Sequence, residues 1–387
     1  MMGRNCPICN TKEKEKLFDI RFAFGEEHPL AKKNDIVCCN TCGFVFADND
    51  LNQDSYDRYY KELNSYSEAD SIKYTEDEEL FPKFYFSLLR KFIAINESVF
   101  DVGCGDGGLL SILKQNGYGN VYGLDPSADS IRTLERKGVN GICGSVFEIA
   151  ALDLPKFDVV ISTGVLEHIF DVDGYIKNVL AAVKSDGKII VVVPAVEGFE
   201  IKYTDLPNYF NHEHINFFSQ QTLDRLFAGY GYYDISNEQS RLVTEPNGEY
   251  ILYGVYSKKN VDTHEIEKDD SSRKSVLNYL EKYSERKKEK EEKYKKLSLD
   301  KYILWGTGAL ATQFLAEFPE ISDKIEFCID NNKTKQGTRF AGKMIYGSDY
   351  LKSQNINLPI IICSMKNGDA IVKQIVELGL KNECIIL

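Results

Sequence analysis

The sequence predicts an α/β protein in three parts: a small cysteine-rich module, a parallel sheet covered by helices, and a second, smaller α/β domain. Three observations predict this fold class. Two CxxC pairs fall within the first 48 residues, apolar strands alternate with helical stretches from residue 81 onward, and another strand–turn–helix begins near residue 302. A chain of 387 residues is long enough for two or three such domains.

Residues 1–48 are predicted to form a zinc-binding module. Cys6 and Cys9 make one CxxC pair, and Cys39 and Cys42 make the other. Two pairs of thiolates with this spacing supply tetrahedral sulfur ligation for a zinc ion, and because all four positions are filled by protein the site is structural. Cys38 is expected to be a non-ligand. The alternatives are reduced free cysteines and a zinc ribbon that binds nucleic acid.

The net charge and the composition of the chain restrict which binding partners and which cellular compartment are expected. The formal net charge of −12 disfavours both nucleic acid and an anionic membrane as partners, because the interaction with phosphate is repulsive overall. The sequence shows neither a secretion signal nor an apolar run long enough to span a bilayer, which predicts a cytoplasmic protein. In a reducing compartment, clustered cysteines indicate metal rather than disulfides.

Residues 49–80 are predicted to connect the zinc module to the sheet and to contribute to a substrate cleft. The segment is rich in acids and tyrosines, the latter being Tyr56, Tyr59, Tyr60, Tyr66 and Tyr74. Tyrosine side chains are suited to form hydrogen bonds with the polar groups of a ligand. Surface tyrosines without a function are the alternative.

Residues 81–260 are predicted to form the central domain. Apolar residues at helical spacing predict a helix over 81–95 that leads into the first strand. The predicted parallel strands are Ser98–Val102, Val121–Asp125, Phe157–Thr163 and Lys188–Pro194. Two later runs, 232–236 and 249–256, are expected to complete the sheet at one edge.

Residues 261–297 are predicted to be a charged helical linker, and residues 298–387 a Rossmann-like domain. The linker is rich in Lys and Glu, which is typical of a solvated helix. Beyond it, strand 302–305 leads through the turn Gly306-Thr-Gly308 into a helix, and strand 325–329 ends at Asp330. Such a turn can hold phosphates at a helix N-terminus, although it is equally compatible with a purely structural role.

The segment Asp101-Val-Gly103-Cys-Gly105-Asp-Gly-Gly lies where the first strand passes into a helix. Glycines at this point let the backbone turn sharply and approach a ligand closely. A glycine loop alone is also compatible with a dinucleotide, but here Asp101 precedes the loop, where it can meet a charged amino-acid end. Asp125 closes the next strand twenty residues after Gly105, where a carboxylate can meet ribose hydroxyls.

Further positions complete the predicted cofactor site. Pro126 follows Asp125, Gly144 and Ser145 follow a third strand that lies between Val121–Asp125 and Phe157–Thr163, and Thr163 ends the fourth strand, Phe157–Thr163. The turn after Thr163 contains Glu167 and His168. Together with the glycine loop, these motifs resemble the class I methyltransferase superfamily over about residues 81–260, which implies S-adenosylmethionine as the cofactor, with Gly144 and Ser145 flanking its adenine.

A second group of candidate residues lies in the segment Asn211-His-Glu-His214. Two histidines with a carboxylate between them fall just before a helix whose N-cap is expected to be Ser219. Alternation predicts His212 and His214 on one side of an extended segment and Glu213 on the other. A zinc site is one alternative, though the sequence shows no third ligand nearby, and a core histidine is another. We expect His214 to be catalytic, because the segment follows the fifth strand, at the edge of the sheet where ligands bind.

These three parts together resemble the nucleotide-sugar C-methyltransferases, a family that acts on TDP-deoxysugar-type substrates. The resemblance rests on the four cysteines, the methyltransferase core with its His-Glu-His segment and the Rossmann-like C-terminal domain, and it spans the whole chain; the Gly306–Gly308 turn departs from the family, whose version of this turn bears a lysine. It implies methylation of a carbon beside a ketone, a nucleotide-sugar partner, and base chemistry at Glu213 and His214. That family often has tyrosine at the position of Asn211.

The resemblance suggests a mechanism through an enolate. His214, tuned by Glu213, removes a proton from the carbon beside the ketone, and Asn211 or His168 donates a hydrogen bond to the enolate oxygen. Two other functions stay open at this point. One is O- or N-methylation of another sugar or small metabolite, and the other is methylation of RNA by a zinc-ribbon protein.

Overall fold

A computed structural model describes residues 3–62, 80–201, 209–258, 267–294, 300–364 and 367–387. Two of the tyrosines predicted to line a cleft, Tyr66 and Tyr74, lie outside these residues. Within the described ranges, no helix is both long and apolar enough to cross a membrane.

Contacts divide the chain into two compact units. The first contains residues 1–18, 35–204 and 213–281, and the second contains residues 19–34, 205–212 and 282–387. The zinc-module cysteines and the central sheet therefore belong to one unit. The sequence-based division into five segments stays a prediction.

A small sheet in the N-terminal part of the chain has the strand order β1–β2–β3–β9. Its strands are β1 (Lys14–Arg21), β2 (Lys33–Cys39), β3 (Val45–Asp48) and β9 (Asn216–Phe217). β3 and β9 are antiparallel, with Phe46 opposite Asn216. The strand that follows the second CxxC pair is thus hydrogen-bonded to the strand that follows the Glu-His segment.

The central sheet has the order β10–β12–β8–β7–β4–β5–β6, and β11 pairs with β12. Its strands are β4 (Val99–Val102), β5 (Val121–Asp125), β6 (Asn140–Cys143), β7 (Phe157–Thr163), β8 (Val183–Pro194), β10 (Tyr233–Asp234), β11 (Leu242–Thr244) and β12 (Tyr250–Ser257). The strands from β6 across to β8 are parallel, and β12 is antiparallel to β8. The predicted fold class, including the two later runs at one edge, is confirmed.

Helices of this part of the chain follow the predicted alternation. They are α1 (Gln53–Glu62), α2 (Leu80–Leu89), α3 (Gly108–Gln115), α4 (Ala128–Arg136), α5 (Val172–Ala182), α6 (Gly198–Ile201), α7 (Gln220–Ala228) and α8 (Ser271–Tyr294). The helix predicted over 81–95 ends earlier, at Leu89, and a 3-10 turn follows. The 3-10 turn ends at Ile93, whose backbone is extended and whose carbonyl accepts a hydrogen bond from the Tyr118 hydroxyl.

The core lies on both faces of the central sheet, as the period-2 alternation of a strand requires. In β4, Val99 packs into the apolar cluster on one face, and Phe100 and Val102 pack into the cluster on the other. These three side chains are essentially fully buried, so solvent is excluded from both faces of the sheet at this strand. The carboxyl ends of β4, β5 and β7 consequently meet at one edge on a rigid support.

The second unit contains the predicted C-terminal α/β domain. Its strands are β13 (Tyr302–Trp305), β14 (Ile325–Ile329), β15 (Arg339–Phe340), β16 (Lys343–Tyr346), β17 (Ile360–Ile362) and β18 (Cys384–Ile386), in the order β15–β16–β14–β13–β17–β18. Its helices are α9 (Ala309–Glu317), α10 (Pro319–Lys324), α11 (Asp349–Gln354) and α12 (Gly368–Glu377). All its strand pairs are parallel except β15–β16.

Candidate functional site

The glycine loop lies at the point where the chain order of the sheet reverses. From β4 the chain continues through β5 to β6 on one side, and β7 and β8 lie on the other. Open α/β sheets bind ligands at such a reversal, outside the carboxyl ends of the strands. The predicted cofactor residues therefore occupy the expected place in the fold.

Three glycines of the loop have left-handed backbone conformations. The φ angles are 75° at Gly103, 54° at Gly105 and 77° at Gly107. At Gly103 an added Cβ would also lie 2.5 Å from the Val165 side chain. A residue with a side chain is disfavoured at each position, which explains why the loop needs glycine.

Asp101, one of the last residues of β4, is buried and only partly satisfied. It is 4% exposed, and none of the described residues provides a hydrogen-bond partner for its Oδ1. Burial, with a smaller effect from the neighbouring Asp125, raises the pKa of Asp101 to about 7. An unpaired buried carboxylate oxygen is costly, so the position is suited to a cationic donor such as the ammonium of an amino acid.

Asp125 ends β5 and bridges two loops. Its Oδ2 accepts a hydrogen bond from the Gly105 N–H at 2.9 Å, and its Oδ1 accepts one from the Ser127 N–H at 2.9 Å. Burial raises its pKa, although these two hydrogen bonds act in the opposite direction. Pro126 lies between Asp125 and Ser127, which is the N-cap of α4. The carboxylate thus ties the glycine loop to the turn after β5.

The other predicted cofactor residues have unequal local environments. Gly144 follows β6, and its N–H donates to the Asp125 carbonyl. Ser145 caps a 3-10 helix together with Glu148, so its hydroxyl already has a structural role. Thr163 ends β7, and its Oγ1 is buried with no hydrogen-bond partner among the described residues. Thr163 therefore offers a polar group for a ligand, whereas Ser145 mainly stabilises its turn.

The four predicted zinc ligands are close together. Their sulfur atoms all lie within 4.8 Å of one another, with Cys6 3.5 Å from Cys42 and Cys9 3.4 Å from Cys39. Sulfurs around a tetrahedral zinc with bonds of about 2.3 Å lie about 3.8 Å apart, so the geometry fits that ion. The Cys38 sulfur instead interacts with the Gly43 carbonyl, as expected for a non-ligand.

Electrostatics of the cysteine cluster also favour a cation. Hydrogen bonds from Cys42 and Cys6 lower the pKa of Cys39, whereas the side-chain hydrogen bond with Cys39 raises the pKa of Cys6 to about 12. Four sulfurs at this distance cannot all ionise unless a positive charge lies between them. A metal ion bound between the four sulfurs would supply that charge.

Glu213, His214 and His168 are brought together from two distant parts of the chain. The rings of His168 and His214 meet edge to face, with centroids 4.8 Å apart. His168 Nδ1 lies 3.1 Å from the Glu213 carbonyl oxygen, so in the neutral ring Nδ1–H donates and Nε2 carries the lone pair. His168 lies in the turn after β7, whose carboxyl end is at the same edge of the sheet as that of β4 and the glycine loop, and His214 lies two residues before β9.

Glu167 joins this group, and the sequence did not identify it as a ligand. It is 3% exposed, its Oε1 lies 3.8 Å from His168 Nε2, and its buried Oε2 has no partner among the described residues. Burial raises its pKa, opposed by the attraction of His168. Possible ligand atoms of Glu167, His168 and His214 lie within 4.8 Å of one another. The sequence showed no third metal ligand near the histidine segment, whereas the structure places Glu167 and His168, from the turn after β7, within this distance of His214.

Conformation of the histidine segment also differs from the prediction. Residues 212 and 213 form a bend rather than an extended run, and regular strand begins only at Asn216. Contacts place Asn211 and His212 in the second unit, where His212 packs edge-on against Phe22 and Phe24. Glu213 and His214 belong to the first unit. The expected N-cap, Ser219, is confirmed by its hydrogen bond from the Thr222 N–H.

Tyrosines of the predicted cleft segment have different roles where they are described. Tyr56 is buried in the core, where it stacks on Phe170. The Tyr59 hydroxyl donates to Glu213 Oε1 at 2.5 Å, and the Tyr60 ring packs edge-on against His168. Two of these tyrosines therefore contact the candidate catalytic residues, and one is structural.

In the second unit, the predicted Gly306–Gly308 turn is held by the strand beside it. Both the backbone N–H and the hydroxyl of Thr307 donate to Asp330 Oδ2, at 3.0 Å and 2.5 Å. Gly306 has a φ of 100°, and an added Cβ would lie 2.4 Å from the Cys363 carbonyl oxygen. One Asp330 oxygen is consequently used inside the turn.

Comparison with known families identifies both α/β parts of the chain. Residues 75–237 match the family described as "Methyltransferase domain", and residues 298–386 match the one described as "C2185-like, N-terminal". The predicted class of enzyme, a SAM-dependent methyltransferase, is confirmed for the central domain.

Curated relatives share part of this domain. A ubiquinone biosynthesis O-methyltransferase from Methylobacterium nodulans is 33% identical over 95 residues, which are 23% of this chain and 38% of that protein. One from Rhodopseudomonas palustris is 29% identical over 163 residues, 38% of this chain and 62% of that protein. The chain thus spans less than two thirds of these relatives.

Solved structures with a similar sheet are more distant in sequence. The 1,6-didemethyltoxoflavin-N1-methyltransferase of Burkholderia thailandensis is 18% identical and covers 57% of this chain and 97% of its own, with a TM-score of 0.43. Magnesium protoporphyrin IX methyltransferase from Synechocystis is 15% identical and covers 54% of this chain and 99% of its own, with a TM-score of 0.38.

Proposed function

We propose that this chain is an S-adenosylmethionine-dependent C-methyltransferase that acts on a keto-deoxysugar carried by a nucleotide. The observation that carries the proposal is the contact between His214 and His168 beside the Glu213 backbone, at the same sheet edge as the glycine loop. The resemblance of the four cysteines, the loop and the Glu-His segment to nucleotide-sugar C-methyltransferases supports the choice of acceptor.

Asp101, Asp125 and Thr163 are the proposed polar contacts of the cofactor, and Gly103, Gly105, Pro126, Gly144 and Ser145 shape the backbone around it. The unpartnered Asp101 Oδ1 and Thr163 Oγ1 support this assignment, since each lacks a hydrogen bond that a ligand would supply. When bound, S-adenosylmethionine supplies a methyl group on a positively charged sulfur. Cys6, Cys9, Cys39 and Cys42 hold a structural zinc ion in this proposal.

His214 is the proposed general base. A ketone makes the neighbouring C–H acidic, and a neutral imidazole accepts such a proton efficiently near physiological pH. Glu213 is fixed by the Tyr59 hydroxyl and offers its carbonyl to His168. Hydrogen bonds to both the side chain and the backbone of Glu213 therefore fix the segment beside His214 when His214 accepts the proton.

His168 is the proposed hydrogen-bond donor to the acceptor oxygen. Its hydrogen bond to the Glu213 carbonyl determines which ring nitrogen carries the proton in the neutral form. Because Nδ1–H is directed to the Glu213 carbonyl, Nε2 of the neutral ring can only accept. Donation from His168 Nε2 to an enolate oxygen requires a proton on both ring nitrogens.

O-methylation is the second candidate function. The observation that favours it is the name of the curated relatives, ubiquinone biosynthesis O-methyltransferases. In that case His214 deprotonates a hydroxyl group instead of a carbon, and no enolate forms.

Hydrogen exchange distinguishes the two. A nucleotide-linked keto-deoxysugar is incubated in D2O with the protein and S-adenosylhomocysteine, and deuterium at the carbon beside the ketone is followed by NMR. C-methylation predicts exchange that requires His214 and is absent in His214→Ala, with His212→Ala as the matched histidine control. A second incubation with S-adenosylmethionine identifies the methylated atom, and a product with its new methyl group on oxygen, together with no exchange at carbon, would overturn the proposal in favour of O-methylation.

A further inference from the structure

The N-terminal zinc module is connected to the candidate catalytic turn by a buried arginine. Arg4 precedes the first ligand pair by two residues and is 7% exposed. Its Nη2 donates to the carbonyls of Ile169 and Phe170, at 3.1 Å and 2.5 Å, and its Nη1 donates to Asn216 Oδ1 at 3.0 Å. The guanidinium also lies 4.5 Å from the centroid of the Phe170 ring.

Asn216 extends this connection to both sides of the candidate site. It is 2% exposed, and its Nδ2 donates to the carbonyls of Leu166 and Ile169, at 2.9 Å and 2.7 Å. The Ile215 N–H donates to the Glu167 carbonyl. The carbonyls of the turn that carries Glu167 and His168 are thus held by Arg4 and by the strand that follows His214.

Both halves of the zinc module hold this network in place. At the first pair, the Arg4 N–H donates to Asp48 Oδ1 at 2.6 Å, and its carbonyl accepts from Lys14 at 2.7 Å. After the second pair, β3 forms antiparallel hydrogen bonds with β9, opposite Asn216. Two independent links therefore run from the cysteine cluster to the two histidines.

We propose that Arg4 is a positioning residue, through which the zinc-bound module fixes His168 and His214 in their relative orientation. The glycine loop has no part in these contacts, because it is supported by β4, β5 and Asp125. Loss of Arg4 then impairs the catalytic step and leaves cofactor binding intact. This inference rests on the proposed role of the two histidines in methyl transfer.

The test compares Arg4→Met and Arg4→Lys with Arg273→Met in the zinc-loaded full chain. Arg273 is the matched control, since it also joins the module, through Glu15, but at an exposed site. Four quantities are measured: zinc per chain, affinity for S-adenosylhomocysteine, kcat with the acceptor, and the imidazole NMR signals. The chain has only five histidines, so the signals of His168 and His214 can be assigned with single variants.

Arg4→Met is expected to retain zinc and S-adenosylhomocysteine binding, to shift the signals of both histidines, and to lower kcat by roughly 10²-fold, the effect of a displacement of about 1 Å. Arg4→Lys should recover part of kcat, and Arg273→Met should match the wild type. Unchanged histidine signals in Arg4→Met would overturn the inference. So would loss of zinc in both Arg4 variants, since the residue would then serve the fold as a whole.

The NMR signals also separate this inference from the proposed function. They need no acceptor, so they report on positioning even if the wild-type chain methylates no keto-deoxysugar. Removal of zinc with a chelator should shift the same two signals in the wild type. Absence of that shift would count against the coupling to the metal.

Discussion

Asp101→Asn tests whether the glycine loop keeps a buried carboxylate for a cationic ligand. Asparagine has nearly the same shape as aspartate but carries no charge, so the substitution removes the ionisation and little else. Asp101 is 4% exposed, and burial is the main cause of its raised pKa. We expect the variant to be more stable than the wild type at neutral pH and to bind S-adenosylhomocysteine less tightly.

The size of the effect on stability follows from the shift in pKa. The pKa of Asp101 rises from 3.8 to about 7 on folding. The protonated carboxyl favours the folded state, and this stability is fully present below pH 3.8 and is lost as the pH rises through 7. At about 1.4 kcal/mol per pH unit, Asp101→Asn gains about 2 kcal/mol relative to the wild type at pH 5 and about 4 kcal/mol at pH 8.

Urea denaturation of the ligand-free protein at pH 5, 6, 7 and 8 measures this difference. The exposed Asp153 provides the control, since Asp153→Asn should shift the free energy of unfolding little at any of these pH values. Calorimetry should show that S-adenosylhomocysteine binds the wild type more tightly as the pH rises toward 8, because its ammonium pairs with the ionised carboxylate. A stability difference that does not change with pH would refute the reasoning, as would unchanged ligand affinity in the variant.

Three further substitutions, with Cys38→Ser as the control for one of them, test the other predicted sites. His214→Ala should lower kcat by about 10²- to 10⁴-fold with near-normal affinity for S-adenosylhomocysteine, whereas a rate close to wild type would assign the base elsewhere. Cys39→Ser should lose zinc and lower the melting temperature, while Cys38→Ser should retain one zinc per chain; equal metal contents would contradict the ligand assignment. Thr163→Val removes a buried hydroxyl that has no hydrogen-bond partner among the described residues. In urea denaturation it should stabilise the ligand-free protein by about 1 kcal/mol, and in calorimetry it should weaken S-adenosylhomocysteine binding about tenfold. Unchanged affinity would remove Thr163 from the cofactor site.

Features that depend on neighbouring residues could be predicted from the sequence. The strands β5, β7, β13 and β14 coincide with their predicted bounds, because apolar runs between turn residues define a buried strand locally. The left-handed glycines of the loop are local in the same sense, since their conformation is set by the strand-to-helix turn. The CxxC spacing likewise predicts that the two sulfur atoms of each pair lie close enough to bind the same metal ion.

Polar contacts between distant segments could not be predicted in this way. Arg4 and Asn216 are 212 residues apart, and neither belongs to a periodic pattern. Glu167 was visible only as part of a turn, because its significance comes from complete burial beside His168. Tyr59 resembles the other tyrosines of its segment until the fold places its hydroxyl on Glu213.

This difference has a physical cause that bears on the site itself. Burial of apolar side chains is non-directional and leaves a period in the sequence, whereas a hydrogen bond depends on two atoms that only the complete topology brings within 3 Å. The cofactor loop is largely of the first kind, because it is built from the conformation of consecutive residues that follow β4. The histidine cluster is of the second kind, because His168 follows β7 whereas His214 lies two residues before β9, which pairs with β3 from the N-terminal part of the chain. Because β3 follows the second cysteine pair, the strand next to His214 is hydrogen-bonded to the cysteine module, and the relation between the two histidines depends on a segment that local sequence patterns do not reveal.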